Sequence, residues 1–106
     1  MALEKNKVIE FLKGLKLKKN DSAFNEYQDG VNCAIECVNE SIDTRIDMLK
    51  NDMFFSCEEN IASLILTLEN DCKDIEGNKE FDNGFVKTVK PIIKSLQKYL
   101  TSIKHT

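Results

Sequence analysis

The chain has 106 residues, 42% of them apolar and 31% charged, with a single proline and four glycines. That is enough chain for one domain with one core, and it excludes fibrous, linker-rich and globally disordered readings. No apolar run approaches the roughly 18 residues that cross a bilayer. The charged stretch Met1–Lys7 leads into no signal-peptide block, so a cytoplasmic protein is expected.

Four segments carry helical periodicity and none alternates with period two, which predicts an all-α, single-domain four-helix bundle spanning residues 1–106. The first, about residues 2–17, sets Val8, Leu12 and Leu15 on one stripe, and Asp21 or Ser22 follows as a candidate cap. The second, about 22–50, repeats Phe24, Tyr27, Val31, Ile35, Val38, Ile42, Ile46 and Leu49 at three- and four-residue steps. The third opens on Ser56-Cys57-Glu58-Glu59, a capping box, and runs to a stop at Glu76-Gly77-Asn78. The fourth, about 79–104, carries Phe81, Phe85, Val89, Ile92, Leu96, Tyr99 and Ile103 on one side, with a kink or break expected at Pro91.

The second and fourth segments resemble each other. Residues 26–49 laid on 80–103 match Tyr27 with Phe81, Gly30 with Gly84, Ser41 with Ser95, and the apolar register throughout. This suggests two helical hairpins of similar plan. Gly30 lies inside the apolar periodicity, where glycine costs about 1 kcal/mol against alanine, so a close approach by a neighbouring helix is expected there.

The net charge of −3 is unevenly distributed: residues 1–19 carry +4, residues 20–83 carry −12 and residues 84–106 carry +5. Basic ends around an acidic middle either complement one another within the fold or present a dipolar surface. Fourteen of the fifteen cationic residues are lysine, which argues against a nucleic-acid reader, since arginine is the usual ligand of phosphate and base edges.

Catalytic machinery is missing from the pattern. The single histidine, His105, is next to last, and the chain has no glycine-rich phosphate loop, dinucleotide fingerprint or paired-histidine motif. A non-enzyme without a cofactor is expected. The four cysteines are expected as free thiols. Cys33 and Cys37, one turn apart, could chelate a metal, but Cys57 and Cys72 lie about 22 Å apart along one helix and cannot share a zinc ion with each other. A helical wheel puts Cys33 and Cys37 outside the main apolar stripe beside Ala34, so the second helix is either central in its bundle or part of a homodimer or partner interface. Met53-Phe54-Phe55 is a further candidate contact patch.

The stretch Tyr27-Gln28-Asp29-Gly30-Val31-Asn32-Cys33-Ala34-Ile35, a Y-x-x-G-x-N-x-A-I pattern, resembles segments of short helical accessory proteins of phages and mobile elements. The resemblance implies no fold beyond a helix, no activity and no binding residues, and it favours a small accessory protein that acts by binding a host component. The leading expectation is thus a protein-binding module, an inhibitor, immunity or anti-defence protein, that engages a basic partner through Glu36, Glu40, Asp43 and Asp47, with Cys33 and Cys37 adjoining. The alternatives are non-specific nucleic-acid or anion binding through Lys87, Lys90, Lys94 and Lys98, and a structural homo-oligomer subunit.

Overall fold

A computed structural model describes residues 2–20, 24–51 and 56–104. It contains four helices: α1 (Ala2–Leu15), α2 (Glu26–Lys50), α3 (Cys57–Asp74) and α4 (Lys79–Lys104). They form an all-α four-helix bundle of 45 × 23 × 21 Å. The candidate cap at Asp21 or Ser22, the Met53-Phe54-Phe55 patch and His105 lie outside the described residues.

Local chemistry sets the helix ends. α2 starts four residues later than its apolar periodicity suggests, because Asn25 caps it: the extended Asn25 backbone lets its side chain accept a 2.7 Å hydrogen bond from the Gln28 amide. Phe24 therefore precedes the helix and is exposed instead of joining the core stripe. α3 starts as expected on Ser56, whose hydroxyl accepts from the Glu59 amide at 3.1 Å. It stops at Asp74, ahead of the expected Glu76-Gly77-Asn78, as Ile75 turns extended. Asn78 caps α4 by accepting from the Phe81 amide at 2.9 Å.

α4 is one helix from Lys79 to Lys104 with Pro91 inside it, so the expected interruption does not divide it. Pro91 is exposed, while Val89, Ile92 and Leu96 on the inner side are buried. Burial of that face, at about 1.5–3 kcal/mol for each large side chain, outweighs the hydrogen bond that the proline ring removes.

α2 and α3 run antiparallel, with Arg45 meeting Asn60 near one end and Cys37 close to Asp71 near the other. α3 and α4 are antiparallel as well, Cys72 lying near Lys90 and Cys57 near Tyr99. α2 and α4 are therefore parallel, and their N-terminal turns meet. A Cβ on Gly30 would run into the Phe81 carbonyl, and one on Gly84 into the Tyr27 carbonyl. The contact is reciprocal under the register that matches Tyr27 with Phe81 and Gly30 with Gly84. The two glycines let the parallel helices touch backbone to backbone. α1 closes the far end, burying Val8, Ile9 and Leu12 and stacking Phe11 on Tyr99 with ring centroids 3.8 Å apart.

Candidate protein-binding face on α2

α2 contacts all three other helices, yet one stripe of it is lined by chain outside the helices. Asn32, Glu36, Asn39 and Asp43 follow at steps of four, three and four, which places them in one line along the helix. Against this line lies the segment Lys16–Asn20, non-helical and running antiparallel to α2.

The periodicity of α1 extends to Leu17, but the helix ends at Leu15. The residues beyond it exchange their helical hydrogen bonds for bonds to α2. The Asn39 side chain accepts from the Leu17 amide at 2.9 Å and donates to the Leu17 carbonyl at 2.8 Å. Asn32 does the same for Asn20, accepting from its amide at 3.2 Å and donating to its carbonyl at 3.0 Å. Each asparagine thus pairs with one whole peptide residue, as a neighbouring strand would. Gln28 donates to Asn32 Oδ1 at 3.1 Å and fixes which way that amide is turned. Between the amides Glu36 takes Lys19, and beyond Asn39 Asp43 takes Lys16 at 2.7 Å.

The spacing is commensurate. Seven residues of α-helix, from Asn32 to Asn39 or from Glu36 to Asp43, rise about 10.5 Å. Three residues of extended chain, from Leu17 to Asn20 or from Lys16 to Lys19, cover about 10 Å. An amide–acid heptad therefore reads a three-residue repeat in an extended, lysine-bearing chain.

Two of the four expected acids, Glu36 and Asp43, are thus occupied by the chain's own lysines, and part of the basic N-terminal block complements the acidic middle internally. Glu40 and Asp47 lie beside the stripe, exposed. Asn32 and Asn39 escape a sequence reading that looks for charge. The signal that would have found them is the spacing N-x3-E-x2-N-x3-D on a helix whose apolar stripe lies elsewhere. Exposed ion pairs contribute about 0–1 kcal/mol each, so the four amide bonds, at about 1 kcal/mol each, and the half-buried Leu17 hold most of the segment in place.

The cysteine pair belongs to the interior side. Cys33 and Cys37 are half-buried and pack against the core beside the fully buried Ala34, which makes α2 central in the bundle and takes these two thiols out of an open back face. Burial is the main cause that pushes the Cys37 thiol up to about 11, followed by the adjacent Cys33 and the Asp71 carboxylate, with a hydrogen bond to Cys33 adding to it. Among the described residues, no three His, Cys, Asp or Glu side chains are grouped to hold a metal ion. At pH 8 the Cys37 thiolate should be about a hundredfold scarcer than that of an ordinary thiol. Iodoacetamide should accordingly label Cys37 far more slowly in the folded chain than in urea, as peptide mapping would read. The raised value also means that Cys37 stabilises the fold fully below about pH 9 and that this contribution falls away as the pH rises towards 11. Equal labelling in both states would contradict that environment.

Lys87, Lys90, Lys94 and Lys98 of α4 are exposed. Lys87 sits over the Tyr27 ring at 6.0 Å. Lys90 and Lys94, together with Lys73 of α3, line a groove of about 470 Å³ that also holds Glu69, Cys72, Ile93 and Gln97. Burial and Asp71 raise the Cys72 thiol, and Lys90 works against them. On the far side of α2, Asn60 is buried completely, donates to the Ser56 carbonyl at 3.0 Å and accepts from Arg45 at 3.5 Å. The Arg45 contact ties the start of α3 to α2.

No family model matches the chain, and no curated protein or solved structure does. Among the described residues, no helix is long and apolar enough to cross a membrane.

Proposed function

We propose that this chain is a small non-enzymatic protein-binding module, an inhibitor, immunity or anti-defence protein of a phage or mobile element, that takes a basic partner on the acidic face of α2. One observation carries the reading: Glu36 and Asp43 already bind Lys19 and Lys16 in the geometry that a partner's lysines would need. Glu40 and Asp47 extend the same negative field beside them, exposed to solvent. The local pattern from Tyr27 to Ile35 and the lack of a catalytic motif in the sequence agree with it.

An acidic face acts mainly on the rate of association, through steering that salt screens. Glu40→Lys with Asp47→Lys leaves the Lys16 and Lys19 pairs in place and reverses the field around them. With the partner captured from the cell that carries the protein, stopped-flow association should slow about tenfold or more at low salt, and its salt dependence should flatten. An unchanged rate would overturn the reading.

A second reading has the lysines of α4 binding an anion, and the joining of Lys73 to Lys90 and Lys94 in one groove favours it. Glu69 in the same groove weakens it. Random-sequence DNA in a low-salt gel shift separates the two, because phosphate contacts are strongest there. The protein-binding reading expects no shift.

A further inference from the structure

The Lys16–Asn20 segment occupies the acidic face that the proposed function assigns to a partner, and the manner of its docking specifies what can replace it. We infer that the Asn32–Glu36–Asn39–Asp43 line is a receptor for an extended peptide of the pattern lysine, apolar residue, any residue, lysine, and that residues 16–20 cover it in cis until such a peptide displaces them. This deepens the proposed function and rests on it for the direction of charge.

Three observations support the inference. First, the asparagines bind main chain, not side chains. Each holds both the N–H and the C=O of one residue at 2.8–3.2 Å, so any extended peptide can satisfy them. Main-chain pairing of this kind is how strand-like peptide ligands gain affinity, while side-chain pockets give specificity. Second, specificity is present at the same spacing: acids seven residues apart on α2 meet lysines three residues apart on the segment, and Leu17 between them is half-buried against the core. Third, the charged anchors of the covering segment are open to solvent. Both ion pairs are exposed, with Lys16 and Lys19 at 39% and 38% of their full side-chain exposure and their acids at 56%, and such pairs are readily screened. The chain's own segment is thus a template for the ligand and a competitor for it.

A receptor covered by its own segment shows an affinity lowered by the fraction of molecules in which the segment is off. The test uses the full chain and a fluorescent synthetic peptide with the sequence of residues 15–20, read by anisotropy at constant salt. Lys16→Glu with Lys19→Glu repels the segment from Glu36 and Asp43, and should bind the peptide about tenfold more tightly than the unaltered chain. Adding Asn39→Ala should remove that gain. A peptide N-methylated at the residue equivalent to Leu17, which lacks the donor that Asn39 accepts from, should bind no better to the opened chain than to the closed one. Leu17→Pro in the chain is a second way to open the receptor, since it deletes the same donor in cis, and far-ultraviolet circular dichroism confirms that each variant folds.

The outcomes separate the two levels of the argument. Peptide binding that is indifferent to Lys16→Glu/Lys19→Glu, or to Asn39→Ala, overturns the covered receptor. If such binding still weakens with Glu40→Lys/Asp47→Lys, the acidic partner face stands without it. Absence of peptide binding to every folded variant also overturns the receptor, while the captured partner tests the face independently.

Discussion

Gly30→Ala should destabilise the fold by about 3 kcal/mol, although the same change in an ordinary helix interior stabilises by about 1 kcal/mol. The added methyl would stand 2.8 Å from the Phe81 carbonyl carbon and 3.0 Å from its Cα, and these are backbone atoms of the facing helix. A side chain could rotate away, but a helix backbone cannot. α2 and α4 would have to separate, loosening Phe85 and Val89 from Ala34 and Val38 just beyond the crossing. Gly84→Ala meets the Tyr27 carbonyl carbon at 3.1 Å and the Val31 amide nitrogen at 3.2 Å, so it should cost a similar amount. Because the contact is reciprocal, the double variant should cost clearly less than the sum, since one separation accommodates both methyls. Gly14→Ala is the control: nothing lies within 4 Å of its added methyl, and the change should be neutral or mildly stabilising. Thermal unfolding of the four variants decides it. Melting temperatures for Gly30→Ala and Gly84→Ala that equal the parent's would mean the helices do not touch there.

The same pair of glycines shows what the sequence made legible. Apolar steps of three and four placed all four helices, and continuity of the stripe through Tyr27 and Val31 marked Gly30 as interior, hence as a close approach. What it could not supply was the partner at that approach, because helix periodicity fixes a face but not what covers it. The ends of α1 and α2 were misplaced for a related reason. Leu17 and Phe24 continue the apolar rhythm, but the competing hydrogen bonds of Asn39 and Asn25 win at those positions. The acidic side of α2 was found through its charge. Its asparagines were not, because an amide has no signature until a main chain is laid against it. For Cys33 and Cys37, off the main stripe, the wheel left a central helix and an interface both open, because it shows a second face but not what covers it; α2 has three neighbouring helices and both thiols pack against the core.

Pro91→Ala should have the opposite sign, raising stability by about 2 kcal/mol. Proline within a helix lacks the N–H that would bond the carbonyl four residues back, here that of Lys87, and its ring crowds that carbonyl, a combined cost of about 3 kcal/mol against alanine. α4 bears this cost as one helix with Pro91 inside it. The ring is exposed, so little packing is lost when it is removed, and Val89, Ile92 and Leu96 keep their buried positions. For a domain of this size the gain corresponds to a melting temperature higher by about 10 °C. No gain would mean that α4 has already relaxed around the ring, and that the Lys87 carbonyl is satisfied without the missing donor. If the gain appears and partner association falls at the same time, Pro91 sets the spacing of Lys87 and Lys90 before it from Lys94 and Lys98 after it. The anion-binding reading of α4 would then gain support beyond the shared groove. A gain with association unchanged leaves recognition with α2.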